Sequence, residues 1–405
     1  MDNLVASSRD LGQTSVLAIL GGAGPLSRAE LARRLGVSAA TITNVTRHLL
    51  SHGLIREVDS VPSDGGRPAT RVGLSAEAGY AMGVKIRSDR VTGVVVGLDG
   101  EIVDRFGFTY AAREPDAVDQ LAEGLKPHVE DSARHILGIG VGLPGTVDLD
   151  DGGAVDSPML GWVGVRLGPA LEAALGLPVL VDNDVNTVAI AERLYGRGRG
   201  ISTFIVVTIG RGIGLSVMID GRLYRGIRGG AGEFGHWPLS DDGPPCECGN
   251  RGCLEAYIGD DGLLNAARSA GLVPGTATYD ELAMLADQGD KGAQSVFREA
   301  GSLLGRNVAG LVNVFDPGLV LIAGEGTRAW RHWQPGFQMA LRAHLFGLMR
   351  RVSVAVESLD HYGWGRGAAA LVLAAPFASA PGHEQSSAAV RERLAIAVGR
   401  GVASA

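Results

Sequence analysis

The sequence predicts an α/β protein whose first domain is a winged helix-turn-helix. Two observations lead to this fold class. Within the first 75 residues, three helix-forming stretches are followed by two β-rich stretches, and beyond residue 79 runs of β-branched residues alternate with helical stretches. A length of 405 residues suits two or three domains, and a hydrophobic fraction of 45% is sufficient for their cores.

Composition excludes several classes of protein. The sequence has neither a long uninterrupted apolar run nor a basic segment leading into an apolar one at its N-terminus. We therefore expect no membrane span and no signal peptide, and a cytoplasmic location. The net charge is −7, yet residues 1–75 carry eight Arg against six Asp and Glu, a local balance of +2. This basic excess suits a nucleic-acid partner for the N-terminal segment alone.

Start and stop signals divide the N-terminal segment into helices. Residues 14–20 are apolar at helical spacing and are followed by two glycines. Ser27 and Glu30 have the spacing of a capping box, which predicts a second helix that runs to Leu35. Gly36 then makes the turn into a third helix.

The third helix has the surface that DNA recognition needs. It starts at Ser38, runs to about His52, and is expected to face the core through Ile42, Val45 and Leu49. Short hydroxyl and amide side chains, with one arginine, can bond to base edges in a major groove. The helix residues predicted to contact DNA are Ser38, Ala39, Thr41, Thr43, Asn44 and Arg47.

A predicted wing follows this helix. Residues 54–58 and 71–74 form two strands around residues 63–68, so that Arg67 lies at the tip. An arginine at this place fits a narrow and electronegative minor groove. The alternative is a three-helix packing domain whose polar face is only solvated. The wing favours DNA binding over that alternative.

The remaining elements describe an α/β arrangement. The predicted strands and helices follow one another with turn signals such as Asp99-Gly100 between them. The predicted strands are 82–86, 90–98, 102–108, 136–141, 179–182, 204–209 and 319–323, and the predicted helices are 117–133, 185–195, several within 260–313, and 363–375.

All three cysteines lie within eight residues of one another and close to a histidine. The order His236, Cys246, Cys248 and Cys253 supplies four donors for a closed, tetrahedral, structural Zn²⁺ site. Three buried free cysteines beside an unrelated histidine are the alternative, which this clustering disfavours. A metal here would fix the backbone that carries two carboxylates, Glu233 and Glu255.

These motifs resemble those of the ROK family of repressors, open reading frames and kinases. The likeness is carried by Gly-Glu-Phe-Gly-His at residues 232–236 and by Cys-Glu-Cys-Gly-Asn-Arg-Gly-Cys-Leu-Glu at residues 246–255. The resemblance implies a two-lobed actin/hexokinase-like domain. We therefore expect a DNA-binding domain over 1–75 and a ROK domain over 79–377, with lobe 1 at about 79–195 plus 355–377, lobe 2 at about 196–354, and a tail over 378–405.

The resemblance also implies a sugar site. In family kinases the residue matching Asp184 is the catalytic base, whereas on its own this residue reads as a helix N-cap. Trp162 suits either stacking on a sugar ring or a place in the core. The residues expected to bind the sugar are Asn183, Asp184, Glu233, His236 and Glu255.

The first phosphate loop of the family's kinases is replaced in this chain. Where kinases have Asp-x-Gly-Gly-Thr, this chain has Lys85-Ile86-Arg87-Ser88-Asp89. Side chains and an acidic group stand where a phosphate needs close approach of the backbone. We therefore expect no enzymatic activity, assign no catalytic residue, and give Asp184 a binding role.

Three functions remain open from the sequence. The preferred one is a sugar-responsive repressor of carbohydrate-utilisation genes that binds a palindromic operator as a homodimer or homotetramer. The second is an ATP-dependent, glucokinase-like sugar kinase that carries a helix-turn-helix. The third is a DNA-binding protein with a vestigial sugar site that answers to a protein partner.

Overall fold

A computed structural model of the chain describes residues 15–17, 19–21, 23–63, 66–130, 134–376 and 383–403. The chain divides into two compact units. Unit 1 consists of residues 1–200, 227–229 and 361–405, and unit 2 consists of residues 201–226 and 230–360. Among the described residues, no helix combines the length and the apolar character needed to cross a membrane.

Unit 1 begins with the predicted winged helix-turn-helix. The elements of this domain are α1 (helical at residues 15–17, 19–21 and 23), β1 (Leu26–Ser27), α2 (Arg28–Leu35), α3 (Ala39–Ser51), β2 (Ile55–Ser63) and β3 (Gly66–Leu74). The strands form one sheet in the order β1-β3-β2. Residues 14 and 18 of the predicted first helix lie outside the described residues.

The helix caps are those that the sequence predicts. The side chain of Ser27 accepts a hydrogen bond from the backbone N–H of Glu30 at 3.2 Å. Gly36 has a φ of 66°, the left-handed conformation that ends α2. The core face of α3 differs from the prediction at one position. Thr46 is fully buried, whereas Val45 is half-buried.

Thr46 can lie in the core because its hydroxyl is satisfied there. It donates to the backbone C=O of Ile42 at 2.8 Å and accepts from Nε of Arg28 at 3.2 Å. A threonine side chain is close to valine in shape, so it fills the same space once its hydroxyl is bonded. Val45 packs against the core from its edge, whereas hydrophobic periodicity alone misses Thr46.

The α/β part of unit 1 has a five-stranded sheet in the order β11-β7-β4-β5-β6. Strands β11, β7 and β4 are parallel, and β4, β5 and β6 are antiparallel. Its elements are β4 (Tyr80–Ile86), β5 (Arg90–Gly97), β6 (Ile102–Thr109), α4 (Ala117–Glu130), β7 (Ile136–Leu143), β8 (Thr146–Asp148), β9 (Ala154–Ser157), β10 (Trp162–Val165), α5 (Leu167–Leu175), β11 (Val179–Asn183), α6 (Asp184–Tyr195) and α12 (His361–Ala374).

Unit 2 repeats the same sheet topology. Its five strands have the order β14-β13-β12-β15-β16, with a hairpin on one side of β12 and two parallel strands on the other. The elements are β12 (Phe204–Ile209), β13 (Ile213–Ile219), β14 (Arg222–Tyr224), α7 (Leu254–Ile258), α8 (Asp260–Ser269), α9 (Tyr279–Asp287), α10 (Lys291–Phe315), β15 (Leu319–Ala323), α11 (Trp330–His344) and β16 (Ser353–Val356).

The C-terminal segment forms a longer helix than the sequence predicts. It comprises α13 (Glu384–Ala403), in which Val390 and Leu394 are buried. The Arg393 guanidinium donates to the backbone C=O of Ile136 at 2.9 and 3.1 Å. The sequence over residues 388–398 predicts only a short surface helix, and this prediction is wrong, because α13 packs on β7 and β11 of unit 1.

The winged helix-turn-helix and the α/β part of unit 1 share one hydrophobic cluster. Leu31 and Leu49 of the helix-turn-helix belong to the same buried cluster as Val96 and Leu98 at the end of the β5 hairpin strand. Arg56 of β2 also donates to the Asp99 carboxylate at 3.4 Å. Continuous apolar burial joins the two parts of unit 1.

Candidate functional site

The exposed face of α3 carries the residues predicted to contact DNA. Ser38, Ala39, Thr41, Asn44 and Arg47 are exposed, and Thr43 is half-buried. Helix packing leaves this face free because Ile42, Thr46 and Leu49 are the positions that enter the core. The structure thus leaves five of the six predicted residues exposed at the start of α3 and on its solvent-facing surface, and the sixth half-buried.

Local hydrogen bonds orient two of these side chains. Arg47 donates to Oδ1 of Asn44 at 3.1 Å, which holds a guanidinium next to an amide on the helix surface. These two groups are the ones that form bidentate contacts with guanine and adenine, respectively. The hydroxyl of Ser38 is the N-cap, accepting from the backbone N–H of Thr41 at 3.1 Å, so its first role is to start the helix.

The wing is present and longer than predicted. Strands β2 and β3 pair from Ile55 opposite Leu74 to Ser63 opposite Gly66. Residues 64–65 and the side chain of Arg67 lie outside the described part of the chain. The predicted contact of Arg67 with DNA therefore stays a prediction.

The four predicted metal ligands converge. The ligand atoms of His236, Cys246, Cys248 and Cys253 all lie within 4.8 Å of one another. Sγ of Cys248 is 3.7 Å from Sγ of Cys253, and Sγ of Cys246 is 3.5 Å from Nδ1 of His236. Tetrahedral Zn–S bonds of about 2.3 Å separate two sulfurs by about 3.8 Å, so the cluster could hold a metal ion of that size.

Two glycines let the chain fold around this cluster. Gly249 and Gly252 have φ angles of 89° and 67°, both in the left-handed region. A Cβ at Gly252 would lie 1.7 Å from the C=O of Ser240, so no other residue fits there. Burial raises the pKa of the Cys246 thiol to about 12, so a bound cation is what would make this sulfur a thiolate at neutral pH.

His236 faces two kinds of partner. Its Nδ1 points to Cys246, whereas its Nε2 lies 3.7 Å from a carboxylate oxygen of Glu233. A ligand histidine whose second nitrogen meets a carboxylate has a fixed ring orientation. Glu233 is exposed, so its carboxylate is accessible to a ligand from solvent.

One carboxylate oxygen of Glu255 already forms a hydrogen bond within the protein. Its Oε2 accepts a hydrogen bond from the backbone N–H of Ile213 at 2.9 Å. The same oxygen lies against Gly212 and Gly235, since a Cβ added at either glycine would meet it at 2.7 or 3.1 Å. The first residues of α7 thereby hold the β12–β13 hairpin next to the segment that contains Glu233 and His236.

Asn183 and Asp184 have separate tasks at the start of α6. Asn183 is the N-cap, because its Oδ1 accepts from the backbone N–H of Val185 at 2.9 Å. Its amide donates to the C=O of Gly145 at 3.0 Å. Since Asn183 caps the helix, the carboxylate of Asp184 turns instead to the ammonium group of Lys85, with which it forms an ion pair.

The alternatives for Trp162 are resolved by its burial. The residue is 6% exposed, and its indole N–H donates to the C=O of Ala112 at 2.8 Å. Trp162 is therefore a core residue.

Acidic side chains lie beside the glycine turn of the β12–β13 hairpin. A carboxylate oxygen of Glu325 lies 3.3 Å from the place that a Cβ would take on Gly210. Burial raises the pKa of Asp260 to about 6, and the neighbouring Glu325 adds to this rise against the effect of Arg328. In the sequence, Glu325 stands as a charged residue between Gly324 and Gly326, a pattern that does not indicate its place beside the hairpin.

The predicted sugar-binding residues belong to both units. Asn183 and Asp184 lie in unit 1, whereas Glu233, His236 and Glu255 lie in unit 2. Sequence reasoning missed Lys85 as the partner of Asp184. One signal could have indicated it, since the chain has only three lysines and this one stands in a β-rich run.

Family models match most of the chain. The model of the ROK family matches residues 81–375, and that of the MarR family matches residues 10–61. The two matches correspond to the α/β part of the chain and to the winged helix-turn-helix.

Two characterised relatives are regulators. The chain is 29% identical over 303 residues to the xylose repressor of Bacillus subtilis (strain 168), covering 74% of this chain and 78% of the relative. It is 28% identical over 365 residues to the DNA-binding transcriptional dual regulator NagC of Escherichia coli (strain K12), covering 87% and 90%.

Two solved structures extend the comparison. A ROK family transcriptional regulator, homologous to the E. coli MLC protein, has the same fold with a TM-score of 0.75 at 24% identity, covering 97% of this chain and 99% of that one. A ROK family glucokinase from Streptomyces griseus, in complex with glucose and AMPPNP, matches with a TM-score of 0.63 at 29% identity, covering 72% and 98%.

Proposed function

This chain belongs to the ROK family, and we propose that it is a sugar-responsive transcriptional repressor of carbohydrate-utilisation genes. The observation that carries the proposal is the junction of two parts in one chain. A winged helix-turn-helix with an exposed polar recognition face is followed by a ROK domain, and the relatives that match across this arrangement regulate transcription. The domain over 1–75 binds the operator, and the domain over 79–377 binds the sugar.

Recognition of DNA is assigned to α3 and the wing. Asn44 and Arg47 read base edges in the major groove, and Arg67 enters the neighbouring minor groove. Two copies of the chain are needed to place two such helices in successive major grooves of a palindromic operator, so the protein acts as a homodimer or homotetramer. The place of action is the cytoplasm.

The sugar binds to Asn183, Asp184, Glu233, His236 and Glu255. To release the operator, it must bind the DNA-incompetent arrangement of the protein more tightly than the DNA-bound one. The side chains of Glu233 and His236 suit hydroxyl recognition, because carboxylates and imidazoles exchange hydrogen bonds with hydroxyl groups.

The metal in the Cys3His cluster is structural Zn²⁺. Four protein ligands leave no position for a reactive water, so the ion supplies folding energy and no chemistry. Bound to Cys246, Cys248, Cys253 and Nδ1 of His236, it would fix the loop between Glu233 and Glu255. One nitrogen of the His236 ring would then bind the metal and the other would face the sugar. Sugar binding is thereby linked to the loop that the metal fixes.

The chain binds its sugar without phosphorylating it. The loop Lys85-Ile86-Arg87-Ser88-Asp89 lacks the glycines that a phosphate needs for close approach, and Lys85 neutralises Asp184, which a kinase would use as a base. Glu325 adds a negative charge beside the glycine turn at Gly210. The negative charges of Asp89 and Glu325 disfavour binding of a nucleoside triphosphate. A ROK glucokinase is nevertheless a structural neighbour of this chain.

The test is an in vitro selection of the organism's own fragmented genomic DNA by the purified zinc-loaded protein. We expect an enriched palindrome near genes for sugar uptake or glycoside degradation, and release of that DNA by one of the sugars handled by those genes. Absence of enrichment at low salt, where phosphate contacts are strongest, contradicts the proposal. Phosphate transfer from ATP to glucose that is lost in Asp184→Asn supports the kinase instead.

A further inference from the structure

The ion pair between Lys85 and Asp184 joins strand β4 to helix α6 of unit 1. Lys85 of β4 and Asp182 of β11 both lie opposite Gly142 of the intervening strand β7. Gly142 carries no side chain, and a Cβ there would lie 3.5 Å from Cα of Asp184. The missing side chain lets α6 approach β7 closely, and Lys85 of the neighbouring strand β4 pairs with the first residue of that helix.

Both members of the pair are largely buried. Their side chains are 8% and 13% exposed. The ammonium group of Lys85 also lies 4.7 Å from the ring centre of Trp364, whose face attracts a cation. A charge of this burial is retained only with a partner, since desolvation of a lone ammonium or carboxylate is costly. The two groups therefore hold each other in one geometry.

Lysine is rare in this chain. It contains three lysines among 37 basic residues, and the other two, Lys126 and Lys291, are on helices α4 and α10. An arginine could not replace Lys85 without a rearrangement of the surrounding side chains, because its planar guanidinium is wider than a compact ammonium group.

We propose that Lys85 is a positioning and recognition residue of the sugar site, and that the Lys85–Asp184 pair reads two adjacent hydroxyl groups of the ligand. This inference rests on the proposed function, because it adds to the site that contains Asp184. An ammonium group has three N–H donors and a carboxylate has about four lone pairs, so the pair can form further hydrogen bonds while it stays intact.

The chemistry of the pair selects a class of ligand. Each hydroxyl of a sugar is both a donor and an acceptor, so a vicinal diol can donate from one hydroxyl to Asp184 and accept at the next from Lys85. The pair has no net charge and therefore does not require an ionic ligand. Uncharged polyhydroxylated sugars with neighbouring hydroxyl groups are the ligands that this arrangement takes.

The first arm of the test needs no ligand. Thermal unfolding of the full zinc-loaded chain is compared for Lys85→Met, Asp184→Asn and the double variant, with Lys126→Met as the matched control. Lys126 forms an exposed ion pair with Glu130 at 3.7 Å, so its loss removes the same charge without uncovering a buried partner. We expect each single variant to lower the midpoint, the double variant to lower it by less than the sum, and the control to leave it unchanged. If the decreases in the unfolding midpoint are additive, the inference that Lys85 and Asp184 act as a pair is overturned.

The second arm measures recognition. Calorimetric titrations use D-xylose, D-glucose and N-acetylglucosamine, and then the monodeoxy analogues of whichever sugar binds. We expect Lys85→Met to weaken that sugar about 10-fold to 100-fold, as for a lost hydrogen bond to a charged group. The preference of the wild type for the sugar over one monodeoxy analogue should fall to about one in this variant. A purely structural lysine would weaken the sugar and all its analogues equally, which overturns the recognition role.

Failure of this inference is separate from failure of the proposed function. If none of the three sugars binds while the stability losses are non-additive, the pair is structural and the inference is overturned. The enrichment of operator DNA tests the repressor without these variants. If the wild type selects a palindrome and Lys85→Met leaves the sugar affinity unchanged, the proposed function stands and the role of Lys85 is overturned.

Discussion

Asp260 provides a test of the electrostatics around the glycine turn of unit 2. The residue begins α8, and burial raises the pKa of its carboxyl to about 6, while Glu325 raises it further and Arg328 opposes the rise. Because this pKa lies above the value of the unfolded chain, the folded chain binds more protons than the unfolded one. The contribution of the protonated Asp260 carboxyl to the free energy of unfolding is complete below about pH 3.8 and is lost as the pH rises through 6.

The expected magnitude follows from these values. A difference of about 2 between the folded and unfolded pKa values corresponds to about 3 kcal/mol. Asp260→Asn removes the ionised form, so it should stabilise unit 2 by up to about 3 kcal/mol at pH 7.5 and by about zero at pH 4. Urea unfolding followed by circular dichroism at both pH values measures the change.

A neighbouring residue provides the control. Asp261 is in the same first turn of α8 but is exposed, so Asp261→Asn loses the same interaction with the helix dipole without relieving burial. We expect it to change stability by about 0.5 kcal/mol or less at either pH. An equal gain from Asp260→Asn at pH 4 and pH 7.5, or a loss at pH 7.5, would refute the electrostatic reasoning.

Four further outcomes are expected. Asn44→Ala and Arg47→Ala should each weaken operator binding about 5-fold to 150-fold in a gel-shift titration, and Arg67→Ala should weaken DNA binding while calorimetry shows unchanged sugar affinity. Cys253→Ser should lower the zinc content found by elemental analysis and the unfolding midpoint, and a chelator should lower the midpoint of the wild type but not of this variant. Leu394→Ala should cost about 2–4 kcal/mol in urea unfolding, because the side chain is 5% exposed on α13; a change near zero would contradict the packing of this helix.

Much of the DNA-binding domain could be predicted because its signals are local. Ser27 and Ser38 each cap a helix through a backbone N–H three residues away, and Gly36 ends α2 in the left-handed conformation. Such contacts depend on a few neighbouring residues. The error at Thr46 came from a distant partner, since Arg28 lies 18 positions away.

The candidate sites divide in the same way. Three cysteines within eight residues indicate a metal cluster before any fold is known, and their sulfur atoms do converge with His236. The role of Glu255 was only partly foreseen. Its position after Cys253 suggests a ligand contact, whereas its bond to Ile213, 42 positions away, shows that it also holds the hairpin.

The sequence by itself determined the fold class, the family, the Cys3His cluster and the face of α3 that points away from the core, because short spacings or periodicity indicate each of them. Only the tertiary structure decided that Lys85 pairs with Asp184, 99 positions away, and that α13 packs on unit 1. Both depend on which strands are neighbours in a sheet. Side-chain partners across a sheet are set by strand order and register, and neither is encoded within a single stretch of the chain.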